Sequence, residues 1–106
     1  MERYKEELKT LFNRIPRRHS PENVKEINNI ANEYEAILTK IEAISADYEK
    51  STAEFFPELD SIRTKIKMST DNKASKKNKD VFFDEASGAL KDNIEGLLGI
   101  LTGSVS

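Results

Sequence analysis

Few side chains in this sequence have types suited to chemistry, and the single histidine is the first to weigh. His19 follows directly on Arg17 and Arg18. An imidazole acts as a general base near neutral pH or as a metal ligand, but either role needs partners. Two adjacent guanidiniums repel a bound cation. The local pattern therefore makes His19 an exposed residue of a connection. Paired carboxylates come next: Asp84 beside Glu85, and Glu58 two residues from Asp60. Acid–base catalysis uses such pairs, yet 19 Asp and Glu in 106 residues place acids close together by composition alone. A solvated helix face accounts for them. Helical bundles hold metals through Glu-x-x-His pairs, and none occurs here. The chain has no cysteine, which removes disulfides, thiolate ligands and a cysteine nucleophile. No Gly-rich phosphate loop, serine elbow or zinc spacing is present. The expectation is a protein that is not an enzyme. It has no catalytic, cofactor-binding or metal-binding residue and no evident small-molecule substrate.

Lysine is the other chemically active type. A basic segment contains Arg63, Lys65, Lys67, Lys73, Lys76, Lys77 and Lys79, with Arg14, Arg17 and Arg18 upstream. Cations in such a run hold phosphates by releasing counterions. Nucleic-acid modules, however, add aromatic stacking residues, net positive charge or a groove-reading helix. Residues 69–79 hold no aromatic side chain, and the whole chain carries net charge −2. By segment the net charge is +3 over 1–20, −7 over 21–62, +6 over 63–79 and −4 over 80–106. The alternation suits helices that fold back and neutralise one another. The reading favoured for 69–79 is a flexible, solvated loop, with a nucleic-acid-binding or regulatory role for 63–79 as the alternative.

The elements that would position these groups are helical. Tyr4, Leu8, Leu11, Phe12 and Ile15 mark one face of a first helix that stops at Pro16. Ser20-Pro21-Glu22 is a helix start: a hydroxyl to cap, a proline where no hydrogen bond is lost, and an acid at the positive dipole end. From Val24 apolar residues recur at alternating spacings of three and four: Ile27, Ala31, Tyr34, Leu38, Ile41, Ser45, Tyr48, Thr52 and Phe55. This is a coiled-coil-like heptad, widened by Ile30, Ile37 and Ile44. It predicts one long central helix of on the order of 50 Å. Pro57 either kinks that helix or opens a third, and the second is preferred because a helix of roughly 70 Å suits no compact domain this small. Asp80 is the expected cap of a last helix from about Val81 to Leu101, with its stripe at Phe83, Ala86, Leu90, Ile94, Leu97 and Leu101. The tail from about 102 to 106 is expected to be disordered. Residues 1–106 thus read as a single all-α domain, a small antiparallel bundle of about four helices.

Function follows from the wide stripe. Short flanking helices are expected to leave part of it uncovered, so Tyr34, Ile37, Ile41, Ile44, Tyr48, Phe55 and Phe56 are the candidate partner-binding residues. The partner would be another protein or a second copy in a homodimer. In size and helix content the chain is similar to small helical adaptors, inhibitors and secretion or immunity partner proteins, though no motif ties it to any of them. Interfacial helices usually carry Lys or Arg on the polar face, whereas the helix bearing GLLGILTG carries Asp92 and Glu95, which disfavours a membrane surface. No 18-residue apolar run and no signal-like start is present, so a cytoplasmic protein is expected.

Overall fold

A computed structural model describes residues 2–102. Five helices succeed one another: α1 (Glu2–Arg14), α2 (Pro21–Glu42), α3 (Ala46–Thr52), α4 (Phe55–Met68) and α5 (Lys76–Leu101). No strand occurs among the described residues, and the fold is all-α as expected. The predicted tail beyond Thr102 lies outside the described residues.

α2 begins as its sequence dictates. Ser20 is extended, its hydroxyl accepts the Asn23 amide at 3.1 Å, and Pro21 occupies the first helical position. The long central helix is not realised. α2 stops at Glu42, and the predicted span divides into α2, the seven-residue α3 and α4. Ser45 is the reason. It adopts an extended backbone and its hydroxyl accepts the Tyr48 amide at 3.2 Å, with Asp47 and Glu49 in the new first turn. A serine followed by acids is worth more as a cap than as a small core residue. Pro57 falls in the first turn of α4, where backbone amides have no intrahelical acceptor to lose. The third helix therefore opens just before the proline rather than at it.

The four longer helices run up and down. Arg14 of α1 donates to Glu33 at 3.0 Å and to Glu26 at 3.3 Å, and Arg63 of α4 donates to Asn32 at 2.8 Å and Glu35 at 2.6 Å. Lys65 lies 3.6 Å from Glu85, while Phe55 at the start of α4 packs on Gly96 near the end of α5. α1 and α4 thus run opposite to α2 and α5, in a body of 44 × 23 × 22 Å.

The heptad stripe of α2 is the centre of the core. Ile27, Ile30, Ala31, Tyr34, Ile37, Leu38 and Ile41 are all buried. Leu8 and Leu11 of α1, Leu59, Ile62 and Ile66 of α4, and Phe83, Leu90, Ile94 and Leu97 of α5 join them in one cluster. Each large aliphatic side chain so enclosed contributes about 1.5–3 kcal/mol. The expectation of an uncovered stripe fails here. With the central helix shortened to 22 residues, its neighbours are long enough to enclose its apolar face.

Candidate functional site

The predicted partner-binding residues divide. Tyr34, Ile37 and Ile41 are interior and present nothing to a partner. The Tyr34 hydroxyl donates to Asn93 Oδ1, with the Asn93 carbonyl 3.1 Å away, and Asn93 Nδ2 donates to Glu58 Oε1 at 3.3 Å. Burial, with a smaller effect from the Glu58 charge, raises the pKa of the Tyr34 phenol above its ordinary value. Tyr48, Phe55 and Phe56 are half-buried against the core. Ile44, in the turn after α2, is 47% exposed and is the one exposed residue of the set.

The basic segment divides more usefully. Arg63 is spent inside the fold: besides Asn32 and Glu35 it reaches the Ala31 carbonyl at 3.4 Å. Lys65 faces Glu85, and Arg14 bridges α1 to α2. The hydrogen bonds that Arg14 donates to Glu33 and Glu26 raise the pKa of its guanidinium. These three cations belong to the architecture. Lys67, Lys73, Lys76, Lys77 and Lys79 pair with no carboxylate among the described residues, and the same holds for Arg17 and Arg18.

These seven cations meet at one end of the bundle. The connection from α1 to α2, the start of α2, the end of α4 and the start of α5 all lie there. His19 Nδ1 sits 2.8 Å from Asp80 Oδ1, and its ring lies 5.4 Å from that of Phe83. Ser87 of α5 donates to the Pro16 carbonyl at 3.2 Å. The connection bearing Arg17 and Arg18 is thereby held against the helix bearing Lys76, Lys77 and Lys79. His19 is not the exposed connector residue expected, and Asp80 is not a cap. The two lie 61 positions apart, and neither carries a local signal of the other.

Nor is 69–79 wholly a loop. Ser75 is extended, its hydroxyl accepts the Asn78 amide at 3.1 Å, and α5 starts at Lys76, five residues before the expected start. Only Ser69–Ser75 connects α4 to α5. Ser75 is a cap by type, but Lys76 and Lys77 after it lack the acid that marked Ser20 and Ser45. Lysines beside the positive end of a helix dipole are unfavourable, and α5 alone among the helices from α2 onward has no acid in its first turn. Two acids at this end are engaged, Asp80 with His19 and Asp71 with the Lys73 amide at 2.9 Å. Glu22 is exposed in the first turn of α2.

A shallow hollow of about 350 Å³ opens at the same end, lined by His19, Pro21, Val24, Ser69, Thr70 and Lys79. No group of acids and histidines among the described residues is placed to hold a metal ion. No helix among them is long and apolar enough to cross a membrane. The fold and this end together define a small helical bundle with a concentrated cationic face. Comparison with protein-family models, with curated proteins and with solved structures returns no match.

Proposed function

We propose that this protein is a non-enzymatic binding module that engages a protein partner through its basic end. One observation carries the reading: seven cations from three chain segments converge there, and among the described residues no carboxylate is paired to any of them. Arg14 and Arg63, by contrast, are fully used within the fold. Cations that repel one another and oppose a helix dipole reduce stability, and a fold retains such costs where a surface is used. The earlier case for a homodimer rested on an uncovered stripe, and that premise is gone.

A protein suits this end better than nucleic acid does. Residues 21–62 carry net charge −7 and residues 80–106 net −4, so an extended polyanion meets repulsion beyond the basic end. The five lysines have no exposed aromatic among them on which a base would stack. Fluorescence anisotropy with a labelled polyglutamate of about twenty residues, and with a single-stranded oligonucleotide of equal length, tests the reading. The peptide should bind, weaken between about 50 and about 200 mM salt, and fail to bind a chain with Lys73, Lys76, Lys77 and Lys79 all changed to serine. A nanomolar oligonucleotide complex that survives the higher salt would transfer the site to nucleic acid.

A further inference from the structure

We infer that the hollow at the basic end is an anchor site for one apolar side chain of an acidic protein segment; this rests on the reading of that end as a protein-binding face. The hollow lies between the first turn of α2 and the end of α4. Pro21 and Val24 supply its apolar wall, and Lys79 supplies the cation beside it. Its walls are held in place. Val24 packs on the core, Ser69 is fully buried, and the His19 ring is fixed by Asp80 and Phe83. A site formed before binding costs little to order. Its volume, about 350 Å³, falls at the small end of the range for ligand sites.

Three large hydrophobic residues are markedly exposed among those described: Ile44 at 47%, Val81 at 45% and Met68 at 38%. Met68 directly precedes Ser69, and Val81 lies one helical turn beyond Lys77 on the same face of α5. Apolar surface is thus interleaved with the lysines. A phosphodiester backbone would use the cations alone and leave this apolar area wet. An acidic segment with a leucine or phenylalanine uses both: the side chain enters the hollow, and flanking carboxylates meet Lys79 and the lysines of the first turn of α5. Interfaces take most of their energy from such buried anchors, while exposed rim charges supply rate and register.

Three labelled twelve-residue peptides test this against the full chain by anisotropy: an acidic peptide with one central leucine, the same with serine there, and the leucine peptide with its acids changed to glutamine. The leucine peptide should bind on the order of tenfold tighter than the serine peptide, as burial of one leucine implies. The glutamine peptide should bind far more weakly than either. A second arm fills the hollow. Thr70 is exposed, so Thr70→Phe obstructs the site without emptying the core, and an unchanged thermal melt confirms the fold. This variant should lose the preference for leucine and keep its affinity for the serine peptide. Equal binding of the leucine and serine peptides by the unmodified chain overturns the anchor site and leaves the basic face standing. An undiminished leucine preference in Thr70→Phe overturns it as well. Failure of both acidic peptides to bind removes the protein-binding face on which the inference rests.

Discussion

Tyr34→Phe removes one oxygen from the centre of the molecule, and its cost follows from what that oxygen serves. Asn93 is 4% exposed, and its side-chain oxygen accepts from the Tyr34 hydroxyl. Phenylalanine fills the same space, so no cavity forms. The loss is that of a buried acceptor left without its donor, about 1–3 kcal/mol. Domains of this size are stable by about 5–15 kcal/mol in all, and a loss of about 2 kcal/mol lowers the melting temperature by roughly 10 °C. Urea unfolding followed by circular dichroism measures it. Adding Asn93→Leu removes the orphaned acceptor, so the double variant should lose less than the two single losses combined, by about 0.5–3 kcal/mol. The raised phenol pKa gives a second readout. A group whose pKa is higher folded than unfolded contributes fully below its unfolded value, here about 10, and loses that contribution as pH rises further. The parent protein should therefore weaken above pH about 10 more steeply than Tyr34→Phe does. A Tyr34→Phe variant within about 0.5 kcal/mol of the parent, with strict additivity in the double variant, would refute the reasoning.

Gly88 and Gly96 share a helix and should respond differently to alanine. Nothing lies within 4 Å of a Cβ at Gly88, so Gly88→Ala should stabilise by about 0.5–1 kcal/mol through helix propensity. A Cβ at Gly96 would lie 3.0 Å from the Phe55 ring, so Gly96→Ala should gain less or nothing in the same thermal melt. Lys76→Glu with Lys77→Glu should raise stability by about 0.3–1 kcal/mol per site while abolishing binding of the acidic peptides. A simultaneous loss of stability would show that the lysines serve the fold. Arg63→Lys cannot span Ala31, Asn32 and Glu35 with one ammonium, and should cost about 1 kcal/mol in urea unfolding without altering peptide affinity.

Much of the architecture was legible because the signals for it are local. The stripe from Ile27 to Ile41 and the one from Phe83 to Leu101 are periodic, and each lies on the buried face of its helix. Ser20-Pro21 marks its helix start by types that act within one turn. The breaks were missed where two local signals competed at one residue. Ser45 holds a heptad position and is also followed by Asp47 and Glu49, so periodicity continues the helix through it while capping starts a new one. Ser75 gives a weaker start signal, because Lys76 and Lys77 follow it where an acid would suit the helix dipole. The contacts that assemble the basic end were not legible at all. His19 and Asp80, or Ser87 and the Pro16 carbonyl, meet only once the helices have packed. The same is true of Arg63, whose engagement by α2 separates it from the lysines that follow it in sequence.

The up-and-down order of the four longer helices has a practical consequence. The first residues of α1, beside Lys40 near the end of α2, and the last of α5 both lie away from the lysines, toward the opposite end of the 44 Å axis. A label, affinity tag or surface tether joined near either position therefore stands away from Lys76, Lys77 and Lys79. Immobilised through such a handle, the molecule turns its cationic face outward to the solution. A fluorophore placed there reports the tumbling of the whole body rather than local contact with a bound peptide.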